Sequence, residues 1–249
     1  MAVASGRVRA PRAAVPVFET PPDPDTTRVM VAIPALNEER SIGDVIHDVK
    51  LHGFECVVID DGSSDQTGAV AHRAGALVMR HLVPLGQGAA LQTAIDWCVT
   101  NGADIIVTFD ADGQHRAADI PRLLDALSHE EADFALGSRF LGTTVNVPRT
   151  RRLLLMVAIW FTRFTTGLHV SDTHNGLRAM TRRGASVIHL RQNSMAHASE
   201  ILQQIAMSGL RWVEVPVTIE YNDYAAEKGQ RSTGFIAILV DLLMARLQR

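Results

Sequence analysis

The 249-residue sequence predicts an α/β fold in which helices cover both faces of a doubly wound, mostly parallel sheet. In the first half of the chain, apolar β-branched runs alternate with stretches that have the apolar spacing of helices. Strands that alternate with helices pair in parallel through right-handed crossovers, which gives the doubly wound arrangement. Acidic residues directly follow three of the runs, and the carboxyl ends of parallel strands meet at one edge where ligands bind. The length suits one such domain.

Five strands and four helices are predicted in this first half. The strands lie at residues 29–33, 56–59, 76–80, 105–107 and 133–137. The helices begin at Ser41, where Asp44 is placed like a capping-box acid, after the acidic turn at 60–65, at Gly86 and at Ala118. Glycines at 86 and 88 would leave the first N–H groups of the third helix open to a phosphate.

The second half of the chain has a different character. We predict a helix at 153–165, a polar turn at 171–178 that leads into a strand, a helix at 195–207, an alternating strand at 212–219, a loop at 221–234 and an amphipathic helix at 235–247. Residues 1–27 contain half of the ten prolines and have no apolar period. We therefore expect a disordered tail at 1–27, followed by a single domain at 28–249.

The stretch IIVTFDADGQH at 105–115 is the strongest candidate for a site. A buried strand would deliver Asp110 and Asp112 to the same side of the following turn, because alternate residues share a side. With Gln114 they offer three oxygen ligands, which suit Mg²⁺ or Mn²⁺ bound to a substrate phosphate. One acid here would be more typical of a helix cap, whereas two acids with Gly113 and Gln114 favour a metal site.

Four cations could complete a phosphate-binding site beside these acids. Phosphate chemistry requires positive groups near the phosphoryl oxygens. The candidates are Arg139, Arg178, Lys228 and Arg231. Each alone is typical of a solvated surface, but together they favour phosphate binding.

Composition limits the partners and the compartment. A formal charge of −3 argues against nucleic-acid binding, which requires a basic face. Cys56 and Cys98 fit neither a disulfide framework nor a metal site, so we expect reduced core thiols in a cytoplasmic protein. No apolar run reaches the roughly 18 residues of a membrane span. The run at 153–161, flanked by arginines, predicts either a core helix or peripheral contact with the inner face of a membrane. A homo-oligomer is compatible with these features.

Six motifs occur in an order that resembles the family 2 glycosyltransferases with a GT-A fold. They are PALNE, VIDDGSSDQT, GQGAAL, DADGQH, GSRF and DTHNGLRAM, within about residues 28–235. Each is weak alone, but the ordered set is specific. Within the family, the sequence is most similar to the dolichol- or polyprenol-phosphate sugar synthases. The resemblance implies an inverting transfer from a nucleotide sugar to a polyprenyl phosphate or a related cell-envelope acceptor, with a divalent metal on the donor pyrophosphate.

The resemblance also implies roles for individual residues. The nucleoside end of the donor would be bound by Pro34, Leu36, Glu38, Asp60, Asp61, Asp110 and Ala111. The metal would be held by Asp110, Asp112 and Gln114. The acceptor phosphate would contact Arg139 together with Arg151 or Arg152, while Lys228 and Arg231 would belong to a loop that closes over the donor. Arg139, Asp112 and Arg231 would then be the catalytic residues.

Two features of the sequence differ from the synthases and bear on the acceptor. The loop at 221–231 is longer and more acidic than in the synthases, and no membrane-spanning tail is visible. A phosphate acceptor would need no base, because its second pKa lies near 6. A hydroxyl acceptor on a glycan or small molecule would need one, and the candidates are Asp172, His174 and Glu200.

Two other classes of protein share such a sheet. A nucleotidyltransferase is disfavoured because PALNE is not a glycine- and lysine-rich loop. A non-catalytic nucleotide-sugar-binding protein is disfavoured by the intact acid pair.

Overall fold

The computed structural model describes residues 27–142, 144–145, 168–193 and 196–220, and its centre is a seven-stranded sheet. The strands of this sheet are β1 (Val29–Ala35), β2 (Glu55–Asp60), β3 (Leu77–Arg80), β4 (Ile105–Thr108), β5 (Phe134–Ser138), β7 (Arg178–Thr181) and β8 (Trp212–Pro216). Two short strands, β6 (Thr144–Val145) and β9 (Ile219–Glu220), pair with each other.

The seven-stranded sheet is parallel except at β7. Its order is β3-β2-β1-β4-β7-β5-β8, and β7 runs antiparallel to both of its neighbours. The predicted mostly parallel α/β fold is confirmed, with one reversed strand whose direction was not predicted. Because β1, β2 and β4 are parallel neighbours, their carboxyl ends meet at one edge, as predicted from the acidic turns that follow them. The antiparallel β7 begins at that edge, with Arg178 opposite Thr108 and Leu136.

Helices pack on both faces of the sheet. One face carries α1 (Ile42–Leu51), α2 (Thr67–Arg73) and α4 (Ile120–His129), and the other carries α3 (Gln87–Thr100), α5 (Arg182–Ala185) and α6 (His197–Ser208). Consecutive residues of β1 point to opposite faces, so Val31 and Ile33 join the first core while Met30 and Ala32 join the second. A continuous apolar run thus indicates a central strand that is buried on both faces of the sheet.

The strand predicted at 212–219 is wrong as a single element, because it divides into β8 and β9. Pro216 has no N–H to donate, and β8 ends there. The N–H of Val217 then donates to the Ser138 carbonyl at 3.1 Å, and the N–H of Thr218 donates to the Asp119 carboxylate at 2.7 Å. These contacts turn the chain away from the sheet.

Several predicted features lie outside the described residues: nearly all of the tail at 1–27, the helix at 153–165, the loop at 221–234 and the helix at 235–247. Among the helices that the structure describes, none is long and apolar enough to cross a membrane. Cys56 and Cys98 are free and buried, which confirms the prediction of core thiols. Burial raises the pKa of Cys56 to about 11 and that of Cys98 to about 12.

Candidate active site

The loops that follow β1 and β2 are joined by hydrogen bonds between their two motifs. Asn37 has a left-handed φ of 54°, and its side-chain oxygen accepts from the N–H and the hydroxyl of Ser64 at 2.9 and 3.1 Å. The N–H of Glu38 donates to the hydroxyl of Thr67 at 2.7 Å. PALNE and DDGSSDQT therefore form one continuous rim at the edge of the sheet.

The residues predicted to line a nucleoside pocket on this rim differ in exposure. Leu36 is 39% exposed and presents apolar surface at the rim. Glu38 is 7% exposed, and its carboxylate accepts from the hydroxyl of Ser41 at 3.1 Å. Pro34 and Ala111 are buried, so their side chains pack in the interior and are not on the surface of the rim.

Asp60 is a buried acid that fixes the turn after β2. Its Oδ1 accepts from the N–H of Ser63 at 2.8 Å, and its Oδ2 lies 3.5 Å from Arg80 Nε. Arg80 in turn donates to the Ser63 carbonyl at 2.6 Å. The structure gives Asp60 a contact with its own loop where the resemblance implied one with the donor.

Asp61 anchors the start of α3. Its Oδ1 accepts from the N–H of Leu85 at 2.9 Å, and its Oδ2 accepts from the N–H of Gly86 at 2.7 Å. The N–H of Gly88 donates to the Asn193 carbonyl at 3.1 Å. The expectation that these glycines leave N–H groups open to a phosphate is therefore wrong, because protein oxygens already accept from them.

Asp110 and Asp112 follow β4 at the sheet edge and are partly exposed. The Nε2 of the buried His115 ring lies 2.9 Å from Asp110 Oδ2, and the N–H of Gln114 donates to Asp112 Oδ1 at 3.0 Å. Burial raises the pKa of Asp112 to about 6, and the neighbouring Asp110 charge adds to this rise. Burial acts on the pKa of Asp110 in the same direction, but the hydrogen bond from His115 and the charge of Arg178 hold it below its usual value.

These carboxylates and Gln114 fit a divalent cation that is shared with a substrate. Their ligand atoms are all oxygens, and the mutual repulsion of the acids is the kind that a cation relieves. Among the described residues, no group of three His, Cys, Asp or Glu side chains could hold a metal. Mg²⁺ and Mn²⁺ do not need such a cage when waters and substrate phosphates complete their coordination.

Gly176 lies directly against the Asp110 carboxylate. A Cβ at this position would overlap the carboxylate oxygens, and the Gly176 carbonyl is fixed by the hydroxyl of Thr108 at 2.5 Å. We predict that Gly176→Ala displaces Asp110 and weakens Mn²⁺ binding by about tenfold, as losses of ligand orientation commonly do. Gly43→Ala in α1 is the control, because its nearest neighbour would be a Val70 methyl carbon at 3.2 Å. Calorimetric titration with Mn²⁺ measures both, and equal affinities would contradict the prediction.

The buried residues Arg139 and Asp172 form a hydrogen-bonded unit with the partly buried His174 beside the carboxyl end of β5. Asp172 Oδ2 accepts from the backbone N–H and from Nε of Arg139 at 3.1 and 2.6 Å. Arg139 also donates to the His174 carbonyl at 3.0 Å, and the N–H of His174 donates to Asp172 Oδ1 at 3.2 Å. Asp172, one of the predicted bases, thus lies in an ion pair with the predicted acceptor arginine. Both carboxylate oxygens of Asp172 accept hydrogen bonds from this unit, so the geometry favours a positioning role for Asp172.

His174, the second candidate base, is a weak one. Burial lowers its pKa to about 4; the Asp172 charge opposes this effect, while the Arg139 and Arg178 charges add to it. The imidazole is therefore neutral near pH 7, but its affinity for a proton is low.

This depressed pKa predicts a pH-dependent stability. The unfolded chain takes up a proton at His174 near pH 6.5, whereas the folded protein does so only near pH 4. Stability is therefore fully present above pH 6.5 and is lost as the pH falls towards 4, by roughly 3 kcal/mol. In urea unfolding between pH 7.5 and 4.5, the free energy of unfolding of the wild type should fall more steeply with acidification than that of His174→Gln. Parallel curves would contradict this assignment.

Arg178 lies at the start of β7 and is 4% exposed. Burial lowers its pKa, and the nearby charges of Asp110 and Asp172 oppose this effect. Its charge therefore interacts both with the acid pair after β4 and with Asp172, the partner of Arg139.

Glu200, the third candidate base, is engaged elsewhere. Its carboxylate accepts from the N–H groups of Arg191 and Gln192 at 3.0 and 2.9 Å, which holds the loop that packs on the start of α3. The remaining predicted phosphate ligands lie outside the described residues: Arg151, Arg152, Lys228 and Arg231.

Two contributors to the site were given no role from the sequence. His115 ends the motif DADGQH, and its contact with Asp110 depends on the turn that brings residue 115 back over residue 110. Gly176 was part of a polar turn, and only its packing against Asp110 explains the glycine.

Known proteins share both the sequence pattern and the fold. Residues 30–207 match Glycosyl transferase family 2. The polyprenol monophosphomannose synthase of Mycolicibacterium smegmatis is 32% identical over 217 residues, which cover 82% of this chain and 81% of that protein. The UDP-N-acetylglucosamine–dolichyl-phosphate N-acetylglucosaminyltransferase of Methanococcus voltae is 27% identical over 241 residues, covering 88% and 96%.

A solved structure of the same fold is that of glucosyl-3-phosphoglycerate synthase from Mycobacterium tuberculosis with Mn²⁺, uridine diphosphate and phosphoglyceric acid. It superposes with a TM-score of 0.66 at 23% identity, over 87% of this chain and 78% of that one. The fold is thus the GT-A fold, and the family predicted from the ordered motifs is confirmed. The chain belongs to glycosyltransferase family 2.

Proposed function

We propose that this glycosyltransferase moves a sugar from a nucleotide sugar to the phosphate of a polyprenyl phosphate, with inversion at the anomeric carbon and with a divalent cation. The observation that carries the proposal is the placement of two kinds of group at one edge. A carboxylate pair suited to a cation follows β4, the buried Arg178 is close enough to lower the pKa of Asp110, and the buried Arg139 follows β5 at the same edge. Such an edge suits a reaction that brings two phosphate-bearing substrates together.

The donor would bind across the rim formed by the loops after β1 and β2. Leu36 would contact the base, and the Asp61-anchored loop at 81–86 would lie beside it. The Asp110, Asp112 and Gln114 oxygens would hold Mg²⁺ or Mn²⁺ on the donor pyrophosphate. When bound, this cation would neutralise the charge of the leaving nucleoside diphosphate.

The acceptor phosphate would be oriented by Arg139. In the transfer, an acceptor oxygen would form a bond to the anomeric carbon as the bond from that carbon to the diphosphate breaks. No proton has to be removed, because the second pKa of a phosphate monoester lies near 6. Asp172 would hold Arg139 in place through the 2.6 Å contact with Nε. This assignment agrees with the lowered pKa of His174 and with the hydrogen bonds that occupy Asp172.

Relatives in the family support a polyprenyl acceptor. The two compared above are named for transfer to polyprenol or dolichyl phosphate. Because such acceptors reside in membranes, the protein would act in peripheral contact with a membrane surface.

The proposal is tested with purified protein, Mn²⁺, a panel of labelled nucleotide sugars and two acceptors, farnesyl phosphate and a hydroxyl-bearing glycan. We expect label in an organic-soluble phosphodiester and none when excess EDTA is present. Transfer only to the glycan, or full activity in EDTA, would overturn the proposed acceptor or the proposed cation, respectively.

A further inference from the structure

Arg178 differs from Arg139, the other buried arginine at this edge, in its contacts with the described residues. Arg139 donates from its side chain to Asp172 and to the His174 carbonyl. The Arg178 guanidinium, in contrast, makes no hydrogen bond and no close ion pair with any residue that the structure describes, although the residue is 96% buried (4% exposed).

The Arg178 side chain is packed into the protein, but its N–H groups make no hydrogen bond with the residues that the structure describes. It carries five N–H donors, and none of its nitrogens is fully enclosed without a hydrogen-bond partner, so these donors reach the open space at the edge of the sheet. The charges of Asp110 and Asp172 compensate the positive charge at longer range but accept none of these hydrogen bonds. Donors that are held in place, reach the open edge and are not bonded to described protein oxygens are available to a ligand.

The strand register fixes where that ligand would lie. Arg178 is opposite Thr108 on β4 and opposite Leu136 on β5. The strand β4 leads into the acid pair, and β5 leads into Arg139. The guanidinium therefore lies between the part of the edge assigned to the donor and the part assigned to the acceptor.

We propose that the Arg178 guanidinium is a phosphate-binding group at the centre of this edge, which donates its hydrogen bonds to phosphate oxygens of a substrate. The inference deepens the proposed function and rests on it for the identity of the substrates. The ligand chemistry is that of a phosphate monoester or diphosphate, and an arginine fork is suited to bind two of its oxygens. The donor diphosphate and the acceptor phosphate are the two sources of such a group.

The test compares Arg178→Met and Arg178→Lys with the wild type in calorimetric titrations at pH 7.5 with Mn²⁺ present. Inorganic pyrophosphate represents the donor, and farnesyl phosphate represents the acceptor. Arg182→Met is the matched control, because Arg182 lies at the opposite end of β7 and donates to the Ala103 carbonyl at 2.8 Å. We expect Arg178→Met to weaken at least one of the two ligands by about 10- to 100-fold, and Arg182→Met to change neither.

Thermal unfolding without ligand separates this role from a structural one. A structural arginine lowers the midpoint when it is removed, whereas a guanidinium without hydrogen bonds should leave the midpoint unchanged or raise it in Arg178→Met. Both ligands binding to Arg178→Met with wild-type affinity would overturn the proposal. If Arg178→Met does not fold, Arg178→Lys decides: weakened binding supports the proposal and normal binding overturns it.

The binding measurements need no sugar transfer, so the two proposals fail separately. A wild-type protein that binds pyrophosphate through Arg178 but glycosylates no polyprenyl phosphate would overturn the proposed function alone. Normal kcat/KM for farnesyl phosphate in Arg178→Met, together with unchanged affinities, would overturn this inference alone.

Discussion

Asp112→Asn is expected to lower the rate of sugar transfer by on the order of 10³-fold while the protein remains folded. An amide keeps the volume of the carboxylate but supplies no anionic ligand for a cation on the donor pyrophosphate. The fold should tolerate the change well. Burial and the Asp110 charge raise the pKa of Asp112 to about 6, so the charged pair is repulsive without a cation.

The measurement has three parts, which are the initial rate with Mn²⁺, the Mn²⁺ affinity and the midpoint of thermal unfolding. We expect a large loss in the first two and an unchanged or higher midpoint. Asp125→Asn, at an exposed position of α4, is the control and should match the wild type throughout. A folded Asp112→Asn variant with wild-type activity would exclude the acid pair as the cation site.

The position of this pair could be predicted because it depends on local sequence and on strand direction alone. An apolar run that stops at two acids marks a strand end, and strand–helix alternation places the ends of β1, β2 and β4 at one edge. These steps use neighbouring residues only, so the pattern of β-branched residues, acids and glycines contains the information.

The contacts that select among the candidate residues were not predictable in this way. Arg139 and Asp172 are 33 positions apart, and their pairing follows from β7 running antiparallel between β4 and β5. A four-residue strand, Arg178–Thr181, contains no signal for its direction. Without that direction, Asp172 and His174 are polar residues of a turn and Arg178 is one cation among several.

The roles of individual acids also depend on contacts that only the fold shows. Asp61 and Glu200 carry carboxylates that could serve as ligands or bases. Both instead accept hydrogen bonds from backbone N–H groups and so fix loops. Sequence shows that a carboxylate is present, and only the fold shows whether its oxygens are already occupied.

The nucleophile of the reaction is the second property with a large expected effect. Arg139→Ala is a poor test, because it would leave Asp172 buried without its cation, a loss of about 3–5 kcal/mol of stability. Arg139→Lys keeps a charge near Asp172 but lacks the planar fork that binds phosphate. With farnesyl phosphate as acceptor, we expect Arg139→Lys to lower kcat/KM by about 10- to 100-fold. Glu200→Gln should reduce it only a few-fold, since that side chain fixes a loop.

Asp172→Asn is the decisive comparison, because loss of activity alone would fit either a base or a positioning residue. If Asp172 acts through Arg139, its variant should raise KM for the acceptor, and the double variant with Arg139→Lys should be no worse than the more damaged single variant. If Asp172 is a base, Asp172→Asn should lower kcat with little change in KM, and the effects of the two substitutions should multiply.

The pH profile separates the same alternatives, since a phosphate nucleophile predicts wild-type activity that falls below about pH 6 as the acceptor becomes protonated. That fall should persist in Asp172→Asn and in His174→Gln, because it belongs to the substrate. An acidic limb that disappears in either variant, or a folded, donor-binding variant with abolished kcat, would show that the acceptor is a hydroxyl deprotonated by that residue.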